Sequence, residues 1–357
     1  MRIVHVVPAL FGDDGVVGGA ERYVFELARH MAHEFDVTLL TFGKEAFVRQ
    51  EGELKIRQLK VQWRVRGQDN NPLALSLFPF ITGFDVVHFH QQHILVSSLG
   101  ALFARVFGRR VFVTDLGGGG WDISQYVSTD GLFHSHLHIS QYSRSVFGQD
   151  KNPLASVIYG GVDTLKFSPP SNGKKREGVV YVGRIMPHKG IRYLIEGLPS
   201  GLPLRILGRP YNDRYFHLLR GLAKGKNVCF ETAATDEDIV EAYQSAQCVV
   251  LPSVYEEEGV ETKVPELLGQ TLLEGMACGA VGIGTRVASL PEVVEHEVSG
   301  FLVEPNSPKS LSDAISYLVD HPQRALKMGT AARDRAVQFF TWKAVVERCI
   351  ELYRRAL

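Results

Sequence analysis

Short apolar, β-branched runs alternate with segments of helical period along almost the whole chain, and this alternation most constrains the fold. Parallel strands need a crossover of a dozen or more residues, usually a helix, so the pattern predicts parallel sheets with crossover helices. In the first half the strands read Ile3–Val7, Val37–Phe42, Ile56–Val61, Val86–Phe89, Val111–Thr114, Leu137–Ile139 and Ser156–Tyr159. The first helix carries Val24, Leu27, Ala28 and Met31 at i, i+3, i+4 and i+7, one apolar stripe. Near Ser168 the text becomes SPPSNGKKREG, which predicts a linker. A second series follows: Val179–Val182, Leu204–Leu207, Val228–Glu231, Val249–Leu251, Val281–Ile283 and Phe301–Val303. Two doubly wound α/β halves fit a length of 357 residues. Ligands of such sheets bind beyond the carboxyl ends of the strands, so two such halves facing across a cleft would place the active site between them.

Charge and cysteine content narrow the function classes. Lys+Arg 39 against Asp+Glu 39 leaves no overall basic field, so no nucleic acid is expected as partner. The four cysteines, Cys229, Cys248, Cys278 and Cys349, form no CxxC pair, which fits a reducing cytoplasm and signals neither disulfides nor zinc. MRIVHVVPAL reads as a first strand, not a signal peptide. The longest apolar stretches, Leu73 to Phe84 and Ile94 to Phe107, are shorter than a bilayer span. Glycine is in excess, 35 residues. The loop FGDDGVVGGAER holds Gly12, Gly15, Gly18 and Gly19 between a strand and a helix, without the GxGxxG order of a dinucleotide fingerprint.

The densest cluster is PELLGQTLLEGMACG, with Glu266 and Glu274 separated by seven residues and Gly269 between them. A helix beginning near Leu272 would turn the amides of Gln270, Thr271 and Leu272 and its positive dipole end toward a diphosphate. Glu274, about one turn inside, offers two acceptor oxygens to the vicinal hydroxyls of a ribose. The competing reading of Glu274 is a capping box begun by Thr271. For Glu266 it is a solvated loop carboxylate. In GRIMPHKG, Gly183 ends a strand, and Arg184 and Lys189 flank a turn with two positive charges.

These segments resemble the retaining glycosyltransferases of family 4. GGAERYVFELA, YGGVDTLKFSP, GRIMPHKG, the Glu266–Glu274 cluster and SGFLVEP together cover nearly the whole chain. The resemblance implies the GT-B fold: an N-terminal acceptor-side Rossmann-like domain over 1–165, a nucleotide-sugar-binding one over 176–335, and a helix over 340–357 crossing back to the first. It implies that Arg184 and Lys189 hold the donor diphosphate, that Gly183, Gly269 and Glu274 line the donor, and that Glu266 reaches the donor sugar. Gly18 and Gly19 would bring bare backbone close to the phosphates. The family pattern also expects a Glu about three residues after the Pro-Ser of LPSVYE, which is Glu256. Only Glu266 stands at the family's distance from Glu274, so the intervening segment reads as an insertion. Asp115, before Gly117 to Gly120, stands where many members carry His, and its alternative role is to form a turn. The four glycines read as a mobile loop on the acceptor side.

Three further features have simpler explanations. His134, His136 and His138 alternate on a strand, but no carboxylate or cysteine grouping accompanies them, and no metal is assigned. Asp236-Glu237-Asp238 matches a metal-binding DxD string, yet follows Thr235 at a helix start, where acids favour the dipole. From Lys44 to Arg66 there are seven Lys/Arg against three acids, followed by LALSLFPFITGF. That pairing reads either as a strand plus a buried helix or as a peripheral contact with an anionic membrane face.

The expected activity is transfer of a sugar, with retention and without cofactor or metal, from a nucleotide diphosphate sugar to a glycan, lipid-linked or small-molecule acceptor. Polysaccharide, glycolipid or glycoconjugate biosynthesis is the expected setting. The alternatives are a sugar-nucleotide epimerase of the same fold and a non-catalytic sugar-nucleotide-binding protein.

Overall fold

The computed structural model describes residues 1–12, 15–16, 18–171, 176–257 and 259–356. Residues 172–175 of the expected linker and Glu258 of the acidic run lie outside the described residues. The chain divides into unit 1, Met1–Gly161 with Trp342–Leu357, and unit 2, Val162–Thr341.

Unit 1 is built on an eight-stranded sheet among the described residues. In chain order its strands are β1 (Arg2–Val6), β2 (Asp36–Gly43), β3 (Phe47–Glu51), β4 (Leu54–Lys60), β5 (Val86–Phe89), β6 (Arg110–Val113), β7 (Ser135–His138) and β8 (Ala155–Val157). Across the sheet they run β8-β7-β6-β5-β1-β2-β4-β3, parallel except for β3 against β4. β3 has no apolar alternation and is largely exposed, which is why the sequence pattern misses it; it exists by hairpin pairing on the outer edge of β4. The central strands are covered on both faces and read as continuous apolar runs.

One face carries Val4, Val6, Val87, Phe89, Val111 and Val113 against α2 (Leu77–Ile81) and α3 (Leu95–Val106). The other is covered by α1 (Gly19–Ala32) and, from the far end of the chain, α12 (Trp342–Ala356). Between β7 and β8 lies α4 (Gln141–Val146). Trp342 packs with the rings of Tyr23 and His30 at 5.4 and 5.7 Å, and Arg348 donates to the Ile158 carbonyl at 3.1 Å.

Under α1 and α12 lies a buried polar seam. His5 and His88 are register partners on β1 and β5, and His90 follows His88 by two residues, so all three rings share one face. His88 Nδ1 lies 2.7 Å from Tyr353 Oη of α12, and its Nε2 lies 2.8 Å from Thr114 Oγ1. His5 Nε2 lies 3.4 Å from Met31 Sδ. A thioether only accepts, which puts the proton on His5 Nε2. His90 Nε2 then donates to His5 Nδ1 at 2.7 Å.

Unit 2 carries a six-stranded parallel sheet: β9 (Val179–Val182), β10 (Leu204–Leu207), β11 (Val228–Glu231), β12 (Cys248–Leu251), β15 (Val281–Thr285) and β16 (Gly300–Val303). A small antiparallel hairpin, β13 (Glu256–Glu257) and β14 (Val260–Glu261), interrupts the loop after β12. Its helices are α5 (Ile191–Glu196), α6 (Asp213–Leu222), α7 (Asp236–Ser245), α8 (Gln270–Ala277), α9 (Leu290–Val293), α10 (Pro308–Asp320) and α11 (Pro322–Phe339). The order β11-β10-β9-β12-β15-β16 means that the chain builds outward from β9 on one side, then returns to build on the other. The loops after β9 and β12 therefore part at a topological switch point. Arg333 of α11 donates to the carbonyls of Thr164, Phe167 and Ala277 and so ties the entering segment to unit 2.

The histidine seam predicts acid sensitivity. Burial lowers the pKa of His5 to about 3, and burial with the neighbouring rings holds His88 and His90 well below 6.5. Below about pH 6.5 the unfolded chain takes up protons that the folded one refuses, so this stability is fully present above that pH and lost as pH falls. Each histidine contributes a slope of about 1.4 kcal/mol per pH unit well below its unfolded pKa. Thermal unfolding of the protein should be flat near neutrality and drop steeply from pH 6.5 toward 4. In His5→Leu the drop should be shallower; an unchanged slope would show that the seam does not set the acid limit.

Candidate active site

The functional side chains predicted in unit 2 converge at its switch point. Gly183 directly follows β9, and the chain then turns through Pro187–Lys189 into α5. Gly190 sits at φ 63°, and a Cβ there would lie 2.0 Å from the Pro252 carbonyl oxygen. Only glycine lets this turn close onto the exit of β12. The close approach brings Lys189, largely buried, to the carboxylate of Glu266, with which it forms an ion pair. Ser253 Oγ donates to the same Glu266 oxygen at 2.9 Å, and Lys189 Nζ also reaches the Pro265 carbonyl at 3.4 Å. Thr285, at the end of β15, donates to the Ser253 carbonyl at 2.6 Å, and Ser289 Oγ lies 3.3 Å from the Glu266 carbonyl. Two side chains thus hold the carboxylate, and Thr285 and Ser289 fix the backbone around it.

Glu256 is elsewhere. It is exposed in the β13–β14 hairpin, and its carboxylate accepts the N–H of Gly259 at 2.9 Å across the turn. Its neighbour Glu257 is buried beside Tyr215 Oη at 3.3 Å. Glu256–Glu257 pairs with Val260–Glu261 in this hairpin, between Ser253 and Glu266 in the chain.

Gly269 caps α8 at φ 89°, where a Cβ would lie 2.7 Å from Leu290 Cδ2. The helix starts at Gln270, so Thr271 lies inside the first turn and does not cap it. The amides of Leu272 and Leu273 bond back to the Gly269 carbonyl at 3.1 and 3.2 Å, and the Leu272 side chain is in the core. Gln270 and Thr271 supply the leading amides of the helix. Glu274 is buried at 7% exposure, and one oxygen accepts the Tyr243 hydroxyl of α7 at 3.2 Å. Burial, then Glu274, raises the Tyr243 pKa well above 10, which keeps it a donor. The Thr271 capping box therefore does not form, and a tyrosine occupies the carboxylate instead. Tyr243, Thr285 and Ser289 carry no sequence signal for these roles, and Ser253 stands out only as the Ser of the Pro-Ser in LPSVYE.

Arg184 is exposed, with its guanidinium 6.0 Å from the Tyr211 ring, and it makes no ion pair among the described residues. Its backbone is fixed, because Tyr181 Oη donates to the Arg184 carbonyl at 2.9 Å and Ile185 N–H donates to the Arg209 carbonyl at 2.9 Å. Of the two predicted cations, Lys189 is paired with the predicted sugar-binding carboxylate, and Arg184 has no ion pair among the described residues.

In unit 1, Gly18 is the N-cap of α1 and Gly19 its first residue, in the loop beyond β1. A Cβ on Gly19 would meet nothing within 4 Å among the described residues, so their packing does not demand glycine there. Asp115 follows β6, is buried, and accepts the Gly117 N–H at 2.9 Å, forming the turn that its alternative role describes. Burial raises its pKa, opposed by the Gly117 bond and by His93. The glycine loop after it is tied down: Asn70 donates to Gly118 and Gly119 carbonyls at 2.8 and 2.9 Å, and Asn71 to Trp121 at 2.7 Å.

The DxD string is a helix cap. The Thr235 hydroxyl accepts the Asp238 N–H at 3.2 Å, and the Asp238 carboxylate accepts the Thr235 N–H at 2.8 Å. Among the described residues the histidines that cluster are His5, His88 and His90, with ring nitrogens within 4.8 Å of one another. Their hydrogen bonds account for the arrangement, since a cation there would displace the His5–His90 proton and the bonds of His88. No helix of the described residues is long and apolar enough to cross a membrane.

Residues 163–335 match the family model of group 1 glycosyl transferases, and residues 17–116 match that of glycosyltransferase family 4. The chain is 27% identical over 235 residues to a GDP-mannose-dependent alpha-(1-6)-phosphatidylinositol monomannoside mannosyltransferase of Mycobacterium tuberculosis, covering 60% of each chain. It is 27% identical over 274 residues to an alpha-maltose-1-phosphate synthase of Mycolicibacterium smegmatis, covering 67% of this chain and 68% of that one. HepE of Anabaena in complex with UDP superposes with a TM-score of 0.79 at 18% identity, covering 99% of this chain and all of that one. Sucrose-phosphate synthase from Thermosynechococcus elongatus gives 0.74 at 20% identity, covering 99% of each chain. With two doubly wound sheets, the Lys189–Glu266 cluster at the switch point and both family matches in place, the chain belongs to the group 1, family 4 glycosyltransferases and has the GT-B fold.

Proposed function

We propose that this protein transfers a sugar, with retention of anomeric configuration and without a metal, from a nucleoside diphosphate donor to an acceptor hydroxyl. The observation that carries this is the unit 2 cluster: the Lys189–Glu266 pair, the open Arg184 guanidinium and the Tyr243-held Glu274 around the start of α8. Arg184 and the leading amides of α8 take the diphosphate, because unpaired positive charge and a helix N-terminus both favour it. Glu274, oriented by the Tyr243 hydroxyl, takes the ribose hydroxyls. Lys189 carries three donors and keeps a hydrogen for phosphate while Glu266 holds it. Glu266, oriented by Ser253 and Lys189, accepts from the donor sugar.

As the sugar–phosphate bond breaks, negative charge grows on the departing diphosphate, and fixed cations stabilise it more in the transition state than before. The departing phosphate oxygen removes the acceptor proton, so no enzyme nucleophile is required. The mannosyltransferase and the maltose-1-phosphate synthase it resembles support a sugar-transfer role, the former with a GDP-sugar and a lipid-linked acceptor. In unit 1, Gly18, Gly19 and Asp115 are assigned to the reaction by the family resemblance, and the open space at Gly19 supports a glycine kept for a ligand. Glycolipid or polysaccharide synthesis is the proposed setting.

A thermal-shift series with UDP, GDP and ADP and their sugars tests the donor class. A nucleotide at about a hundred times its Kd adds about 2.7 kcal/mol and should raise the unfolding temperature by roughly 5–10 °C. If no nucleotide shifts unfolding, the proposal fails. With a responding donor, Arg184→Ala and Glu266→Gln should each lower transfer by about 10²–10³-fold. Unchanged transfer in the double variant would overturn the roles given to Arg184 and Glu266, donor binding without any transfer would leave only a binding protein, and an isomerised sugar from donor alone would indicate an epimerase. Tyr243→Phe removes one hydrogen bond to Glu274 and should raise KM for the donor several-fold with little change in kcat; an unchanged KM would show that Tyr243 does not position Glu274.

A further inference from the structure

The winding of the unit 1 sheet reverses at β1, with β2, β4 and β3 built on one side and β5 to β8 on the other. The loops that leave β1 and β5 therefore part at a second switch point, the place where doubly wound sheets hold ligands. The loop after β1 carries Gly18 and Gly19, and the loop after β5 carries His93, which is exposed.

The surroundings fix His93 closely. Its backbone sits at φ 59°, in the left-handed region that residues other than glycine seldom occupy. Such conformations persist where the neighbouring structure imposes them, and they concentrate at functional sites. The glycine run after β6 closes onto the same loop: Gln91 donates to the Gly119 carbonyl at 3.1 Å, and a Cβ on Gly120 would lie 2.9 Å from the His93 carbonyl oxygen. His93 Nδ1 lies 2.8 Å from Ser124 Oγ, and Ser124 donates its hydroxyl hydrogen to Asp122. Asp122 is fully buried and takes a further bond from the Ser98 hydroxyl of α3. A hydroxyl that has given its one hydrogen to a carboxylate can only accept from the ring, so the neutral His93 carries its proton on Nδ1. Nε2 keeps a lone pair and has no hydrogen-bond partner among the described residues.

Asp115, which follows β6, lies within electrostatic reach, since charge on His93 lowers its pKa. One of its oxygens accepts the Gly117 N–H. Two hydrogen-bond acceptors in one neighbourhood call for a ligand that presents several hydroxyl donors, which is the chemistry of a sugar.

We propose that His93 is an acceptor-binding residue of unit 1: Nε2 accepts a hydroxyl hydrogen of a sugar acceptor, and Ser124 and Asp122 hold the ring in the tautomer that can do so. This rests on the sugar-transfer reading above and narrows its acceptor to a glycan or another sugar-bearing molecule. A histidine that only stapled the two loops would need Nδ1 alone.

Two variants separate the nitrogens. His93→Asn keeps a donor where Nδ1 stood and tolerates a left-handed backbone, but has nothing at Nε2, whereas His93→Gln brings its amide oxygen toward the Nε2 position. The methyl α-glycosides of glucose, mannose and galactose serve as probes of the full chain, read through the histidine ring signal that His93→Asn removes, without nucleotide and with UDP, GDP or ADP. At least one glycoside should shift that signal saturably. In transfer to that glycoside, His93→Asn should raise its KM about tenfold, the loss of one hydrogen bond, with donor KM and unfolding temperature unchanged, and His93→Gln should recover part of the loss. No shift with any of the three, or an unchanged acceptor KM in His93→Asn, overturns the proposal. So does a KM rise that comes with a lower unfolding temperature and weaker donor binding, because the ring would then only join two loops. Donor binding is read separately from the unfolding temperature, so its absence counts against the sugar-transfer reading, while a glycoside signal at His93 would stand.

Discussion

The parallel pairing of β9 with β10 on one side and β12 on the other is the constraint on which unit 2 depends. Parallel strands joined by crossover helices all end on one edge of the sheet, and the strand at which the winding reverses leaves a gap between diverging loops. The unit 2 residues proposed to touch the donor hang from that gap. Gly183 leaves β9, Ser253 leaves β12, Thr285 ends β15, and α8 starts nearby with Gly269 as its cap. The left-handed turn at Gly190 is the joint, because its contact with Pro252 brings Lys189 to Glu266.

Electrostatics in this cluster are arranged unequally. Lys189 and Glu266 are largely removed from water and neutralise one another, and such a pair is sensitive to the loss of either partner. Arg184 lies in solvent with no carboxylate beside it among the described residues. A free cation beside an internally balanced pair suits a site that must bind a dianion and then release it, since the unpaired charge attracts and the paired one positions. Unit 1 uses a different device. Its buried rings are kept neutral by burial, and Tyr353 ties the returning helix to His88 in the middle of the sheet.

Much of the architecture was legible in the sequence, for a physical reason. Strands buried on both faces must be continuously apolar and crossover helices must carry a stripe, so all thirteen expected strands appear, within two residues at either end. β3 was not legible, because an exposed edge strand needs no apolar residue and owes its existence to a partner. The helix at 236–245 was legible with its cap, since Thr235 and Asp238 interact locally. The partners of Glu266 and Glu274 were not, because Ser253 and Tyr243 lie thirteen and thirty-one residues away and only folding brings them near.

By itself the sequence determined the class of fold, the two windings and the places where local spacing encodes a turn or helix start: the GRIMPHKG turn, the Thr235 cap and the Glu266–Glu274 interval. These are properties of neighbours along the chain, and backbone sterics and helix period act at that range. Tertiary structure decided which charges pair. It set Lys189 against Glu266 rather than leaving it open like Arg184, put Glu256 in a hairpin away from the cluster, and gathered His5, His88 and His90 in place of His134, His136 and His138. Those outcomes depend on strand order and register, which bring distant segments within a hydrogen bond of each other and which no local spacing records.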